Sequence, residues 1–220
     1  MNMKRYLLLI AFFVTCITAN SQVILYNDMI EDIVKNERAY FDEITELYRN
    51  DDPMLRTDDI ALLYYGQAFK AEYRPGKDEN EKELKRLYDE KNNAGVYNVG
   101  KKILEYNPVS LNALFCLYIA SKELYKSDEE CISYLKKYQS IIDMICYYGD
   151  GKSSESAFRI ITPDDQDYIV YGKLQIDDVI SKELDTETLC NIITVVPSDK
   201  FHERRVYFDL SLFLSQAERE

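Results

Sequence analysis

The residues whose types and spacing come nearest to a chemical device are Gly149, Asp150, Gly151, Lys152 and Ser153, within YYGDGKSSESAF at 147–158. A glycine turn ending in Gly-Lys-Ser is how a phosphate-binding loop closes, its backbone N–H groups and lysine gathering around the phosphates. That device also needs a glycine five places before Gly151, where this chain has Cys146. It runs from strand to helix as well, and the patterns here read as helix before and strand after. Both counts argue against nucleotide binding. One reading that remains is a helix stop, with Gly149 in the left-handed position and Asp150, Gly151 and Ser153 as turn formers. The other is a shallow nest in which successive N–H groups and Lys152 capture a carboxylate or sulfate.

Other chemistry finds little footing. Nucleophilic hydrolysis needs a base beside a nucleophile, and His202, the only histidine, falls in an expected hairpin turn. The 39 acidic residues include no pair that spacing alone singles out for glycoside hydrolysis. Zinc is not expected either, since no Cys-x-x-Cys occurs. The sequence thus assigns no catalytic residue, no metal ligand and no cofactor.

The first residues, MNMKRYLLLIAFFVTCITANSQ, set two positive charges before an apolar run that ends in small and polar residues. This is the pattern of a secretory signal peptide, too short to span a membrane, with cleavage expected after Ser21. Lipidation at Cys16 is the lesser alternative, because Phe13-Val14-Thr15 lacks the small residue expected directly before such a cysteine. Cleavage removes Lys4 and Arg5 and no acid, so a net charge of −12 becomes −14. A surface that acidic repels phosphate backbones, which argues against nucleic acid and anionic membranes as partners. Cys116, Cys131, Cys146 and Cys190 remain, an even number that permits disulfides in an oxidising compartment. The first three fall in apolar helical stripes, as small buried hydrophobes would, and Cys131 and Cys146 on one helix would lie about 22 Å apart. The 19 tyrosines suit half-buried helix positions, and they also suit sugar-binding surfaces.

The elements that must position these residues are mostly helical. Helices are expected over 24–49, with a break near Asn36, from Thr57 as cap toward Ala71, and over 81–106, split near Asn92 to Gly95. Two more follow Pro108, the second opening with Ser127 to Glu130 as a capping box, and this pair is expected to pack antiparallel. Past Gly149 the pattern changes. AFRII at 157–161 reads as a strand, TPDDQDYIVYG at 162–172 as a short helix, and 189–196 with 204–210 as a hairpin. The tail from Ser211 is a last helical turn or a frayed end. The expected architecture is α+β: a signal peptide over 1–21, antiparallel helices over 22–148 and a small antiparallel sheet with a short helix over 149–220.

Residues 97–124, YNVGKKILEYNPVSLNALFCLYIASKEL, resemble the junction of two tetratricopeptide repeats, with Tyr118 where that family usually has glycine. No second copy follows at the repeat period of about 34 residues, so helix pairs are implied but not a regular array. Four segments resemble a second family: ALLYYGQA at 61–68, KKILEYNPVSLNAL at 101–114, GDGKSSESAFRII at 149–161 and VYFDLS at 206–211. It is a secreted Bacteroides-type family, domain of unknown function 4919, and the likeness covers nearly the whole mature chain. That resemblance implies a cell-envelope location, periplasmic or extracellular, and carries over no activity. Stacked helix pairs make concave surfaces, so the expected function is a non-enzymatic protein- or peptide-binding module. The alternative is an envelope hydrolase or carbohydrate-processing enzyme working through two carboxylates.

Overall fold

In a computed structural model, residues 27–73 and 76–217 are described. The signal peptide, Cys16, Arg74 and Pro75, the first residues of the first helix and the end of the tail lie outside them. Helices α1 (Asn27–Asn36) and α2 (Arg38–Arg49) meet at the expected break near Asn36. Next comes α3 (Thr57–Gly66), which tightens into a 3₁₀ turn (Gln67–Phe69) rather than continuing as α-helix toward Ala71. Its cap falls one residue earlier than expected, at Arg56, whose N–H donates to Asp59 Oδ2 at 2.9 Å.

The charged stretch divides where expected, into α4 (Glu79–Asp89) and α5 (Asn93–Tyr106), with the Asn92 side chain capping α5. Helices α6 (Leu111–Glu123) and α7 (Asp128–Tyr148) follow, and α4 to α7 pack each against the next. The short α6–α7 connection makes that pair an antiparallel hairpin. Ser127 caps α7 by accepting from Glu130 N at 3.2 Å, but Glu130 does not reach back to it. Its carboxylate instead accepts from Tyr97 at 2.5 Å and Tyr134 at 3.0 Å, because two phenols outcompete one backbone N–H. Tyr125 lies past the end of α6 with φ 54° and stays exposed.

Strand β1 (Phe158–Arg159) comes next, then α8 (Asp165–Asp167) running into a π-helical turn (Tyr168–Lys173). Strands β2 (Val179–Asp185), β3 (Cys190–Val195) and β4 (Arg205–Asp209) and helix α9 (Ser211–Ala217) complete the described chain. The sheet order is β1-β4-β3-β2. The expected hairpin is β3 against β4, with Ile192 opposite Tyr207, and β2 adds antiparallel to β3. The third strand, β1, joins β4 in parallel, so the sheet is mixed rather than wholly antiparallel. Strand β2 leaves no alternating apolar trace in VISKELD, because it is an edge strand exposed on both faces.

One core unites the two regions. Tyr64, Leu114 and Ile141 from the helices are buried with Phe158, Ile193 and Phe208 from the sheet. A smaller cluster, including Leu84, Ile103 and Cys116, fills the space between α4, α5 and α6. Many tyrosines pack at half-buried or buried positions and use their hydroxyls as cross-braces, as Tyr148 does to Asp58 at 2.5 Å.

The glycine loop is the seam between the regions, though with its glycines in exchanged roles. Gly149 is extended (φ −146°), not left-handed, and a Cβ there would stand 2.4 Å from Ala157 O. It is glycine for close approach of two backbone segments. Gly151 takes the left-handed conformation (φ 70°), with the Phe158 ring 2.2 Å from where its Cβ would be. Its carbonyl accepts from Tyr207 N at 2.9 Å, which ties the loop to β4. Gly151→Val therefore meets both a forbidden φ and an aromatic ring locked in the core. The expected cost is about 2–4 kcal/mol, or roughly 5–12 °C of melting temperature, read by calorimetry against the unsubstituted protein.

Candidate functional site

A cleft of about 290 Å³ opens between α3, α4, the α5–α6 junction and residues 161–165. Its polar walls are built by helix-start chemistry. Asp78 caps α4 by accepting from Asn80 N at 2.8 Å, and its other oxygen takes the Tyr106 hydroxyl at 2.6 Å. Ser110 caps α6 through Ala113 N at 3.1 Å and also donates to Glu81 Oε1 at 2.8 Å. Asn112 Nδ2 donates to Glu81 Oε2 at 2.7 Å, so both carboxylate oxygens of Glu81 are held by the start of α6.

Asp165 supplies the deepest acid. The turn into α8 begins at Thr162 and Pro163, whose carbonyls accept from Asp165 N at 3.1 Å and Gln166 N at 3.2 Å, and the cap is Asp164 rather than Thr162. From the opposite side, 101 residues earlier in the chain, Tyr64 donates its hydroxyl to Asp165 Oδ2 at 2.5 Å. Tyr64 in turn accepts from Ile161 N at 3.3 Å, and Tyr73 donates to Ile161 O. Asp165 is only 4% exposed, and burial pushes its carboxyl up to about 8 despite the Tyr64 hydrogen bond that favours ionisation. Glu81 moves the same way, burial again outweighing Asn112 and Ser110.

Not every acceptor on the cleft wall has a donor. Asn107 Oδ1 is buried without a hydrogen bond. Gln67 is 3% exposed, and its Nε2 donates to Leu63 O at 3.2 Å. Asp164 is exposed at the mouth with no side-chain hydrogen bond or ion pair among the described residues. Lys82 and Lys85, both exposed, line the rim.

This arrangement offers shape and hydrogen-bond acceptors more readily than acid–base catalysis. Glycoside hydrolysis divides its work between one protonated acid and one ionised carboxylate. Here burial moves both Asp165 and Glu81 upward, and Glu81 has both oxygens occupied. Among the described residues no group of three or more His, Cys, Asp or Glu side chains is placed to hold a metal ion. None of the helices they form is long and apolar enough to cross a membrane.

The five loop residues singled out from the sequence stand together at the seam, away from this cleft. Their N–H groups are largely spent. Asp150 N and Gly151 N donate to Ser156 O at 2.9 and 2.8 Å, and Lys152 N donates to Asp150 Oδ1 at 3.1 Å. Asp150 occupies the place an anion would take, accepting from Ser156 Oγ at 2.6 Å with Lys152 Nζ 3.6 Å away. The Ser156 hydroxyl, chiefly, holds its carboxyl below the usual range. Cys131 and Cys146 lie on the single helix α7, and all four described cysteines are free thiols. Burial pushes Cys116 up to about 12 and Cys146 to about 11, so neither is a reactive thiolate. His202 is exposed in the β3–β4 connection.

Each cleft residue has an ordinary local reading in the sequence. Asp78 and Asp165 look like helix-start acids, Ser110 looks like a cap and Tyr64 looks like core. The usable signal was the conjunction of two buried-type tyrosines at 64–65 with Thr162-Pro163-Asp164-Asp165, and only tertiary contact joins them.

The unusual group is testable by its sign. An unfolded carboxyl titrates near 3.8, whereas the folded one keeps its proton to about 8. Its contribution is therefore complete below the unfolded value and is lost as pH rises through the folded one. In Asp165→Asn that loss is absent. Thermal melting is expected to show the variant gaining on the unsubstituted protein from about pH 4 to about pH 8, and a pH-independent difference would contradict the raised carboxyl.

No curated protein matches the chain, and no solved structure does. The family described as a domain of unknown function, DUF4919, matches over residues 28–219, which spans both the helical region and the sheet. The chain belongs to the DUF4919 family.

Proposed function

We propose that the protein is a non-enzymatic binding module of the cell envelope that takes the end of a peptide, free or protein-borne, into the tyrosine–carboxyl cleft. The observation that carries this reading is preorganisation. The polar walls are fixed before any ligand arrives, by the bonds of Tyr64 to Asp165, Tyr106 to Asp78, and Ser110 and Asn112 to Glu81. A rigid concave site spends little of its binding energy on ordering side chains. Its size suits one or two residues rather than a long strand. The envelope location rests on the basic and apolar pattern of residues 1–21. The acidic net charge favours partners that are not polyanions.

A second reading, an envelope hydrolase, draws on the raised carboxyl of Asp165, since an acid kept protonated near neutrality is what a general acid requires. Glu81 has both oxygens engaged, so the ionised partner this reading requires would be Asp164 at the mouth. One experiment separates them. Equilibrium dialysis of the protein against a random tetrapeptide pool, followed by mass spectrometry, is expected to show retained intact peptides. Retention is expected to fall about tenfold in Asp164→Lys, which reverses the exposed charge at the mouth. Retention unaffected by that change, or none at all, would refute the module reading, and peptide fragments in the dialysate would favour the hydrolase.

A further inference from the structure

Resting on that reading, we infer that Tyr168, which stands outside the cleft, is a positioning residue for it: by fixing the Asn112 amide it holds the Glu81 carboxylate on the wall. Asn112 can present either its carbonyl oxygen or its NH₂ group to Glu81. The two ends are alike in shape, and only the NH₂ end is attractive to a carboxylate. In the structure Asn112 Nδ2 donates to Glu81 Oε2 at 2.7 Å. Its Oδ1 faces the other way and accepts from two donors, the Tyr168 hydroxyl at 3.0 Å and the Cys116 thiol at 3.5 Å. A thiol is the weaker donor, so the phenol chiefly decides the orientation. Asn112 and Glu81 line the cleft, whereas Tyr168 and Cys116 lie behind its wall.

The aim of Tyr168 is itself fixed. Its ring packs on Phe115, centroids 5.6 Å apart, and edge-on to Tyr138 at 5.8 Å. It opens the π-helical turn, in which Leu174 N donates back to Ile169 O at 2.8 Å. Such wide turns are rare and recur at functional sites. Burial, chiefly, pushes the Tyr168 hydroxyl far above its ordinary value, so it stays a protonated donor at neutral pH. Asp165 lies about one helical turn before it. One short stretch therefore holds two walls, Asp165 meeting Tyr64 of α3 and Tyr168 meeting Asn112 of α6. What Asn112 governs at Glu81 is charge. Burial, first, and then Asp78 and Asp164 push the Glu81 carboxyl upward, and the bonds from Asn112 and Ser110 oppose them. With the amide turned, Glu81 would lose a donor, face a carbonyl oxygen and keep its proton to higher pH, which replaces an acceptor on the wall by a donor.

The test is Tyr168→Phe, which keeps the ring and removes the hydroxyl. Two readouts apply: carbon-13 NMR titration of the labelled Glu81 carboxyl, and retention of the random tetrapeptide pool in equilibrium dialysis. The Glu81 midpoint is expected to rise and retention to fall about tenfold. Asn112→Ala is expected to do the same, and the double variant to do no more than Asn112→Ala alone, since the two residues act in series. Tyr138→Phe, which alters a ring of the same cluster without touching Asn112, is expected to move neither readout. Circular dichroism and melting confirm folding of each variant. An unmoved Glu81 midpoint in Tyr168→Phe, effects that add in the double variant, or an equal rise in Tyr138→Phe would overturn the positioning role. A raised midpoint with retention unchanged would uphold the hold of Tyr168 on Glu81 and overturn the peptide-binding reading instead.

Discussion

The structure turns on one buried hydrogen bond, from the Tyr64 hydroxyl to the Asp165 carboxyl at 2.5 Å. It joins the third helix of the helical region to the turn that leads into the sheet region, and both partners are almost wholly buried. A carboxyl placed there must stay neutral or find compensation, since an isolated buried charge costs far more than a proton does. The fold meets this constraint with a proton on Asp165 and a phenol against one oxygen. Tyr64 also accepts from Ile161 N, so the same side chain fixes the strand-to-helix turn and one wall of the cleft.

That arrangement accounts for why the two regions share a core without a linker between them. Gly149 lets the chain leave α7 against its own returning backbone, and Gly151 turns it so that Phe158 can enter the core beside Phe208, ring centroids 5.7 Å apart. The loop that resembles a phosphate site is thereby consumed by structure. Asp150 plays the anion, and the N–H groups that would have reached a ligand close the turn instead.

Much of the architecture was legible because local rules and burial agree there. The spacing from Cys131 to Ile145, the break near Asn36, the split at Asn92 and the β3–β4 hairpin all express amphipathic periodicity or side-chain caps. Strand β2 was invisible because neither face is buried, and the parallel pairing of β1 depends on a partner 50 residues away. The cleft was less legible still. Asp165 is indistinguishable by sequence from an exposed helix-start acid until Tyr64 lies on it, and Asn107 reads only as a helix end before Pro108. Three of the four family-like segments nevertheless bring residues to the cleft: Tyr64 and Gln67 from the first, Tyr106, Ser110 and Asn112 among others from the second and Ile161 from the third.

Asp165 stands in the cleft wall as a neutral acid. Its protonation state is directly observable by carbon-13 NMR of the labelled carboxyl, titrated in the free protein. The predicted result is a midpoint near 8. A midpoint in the ordinary aspartate range near 4 would contradict it.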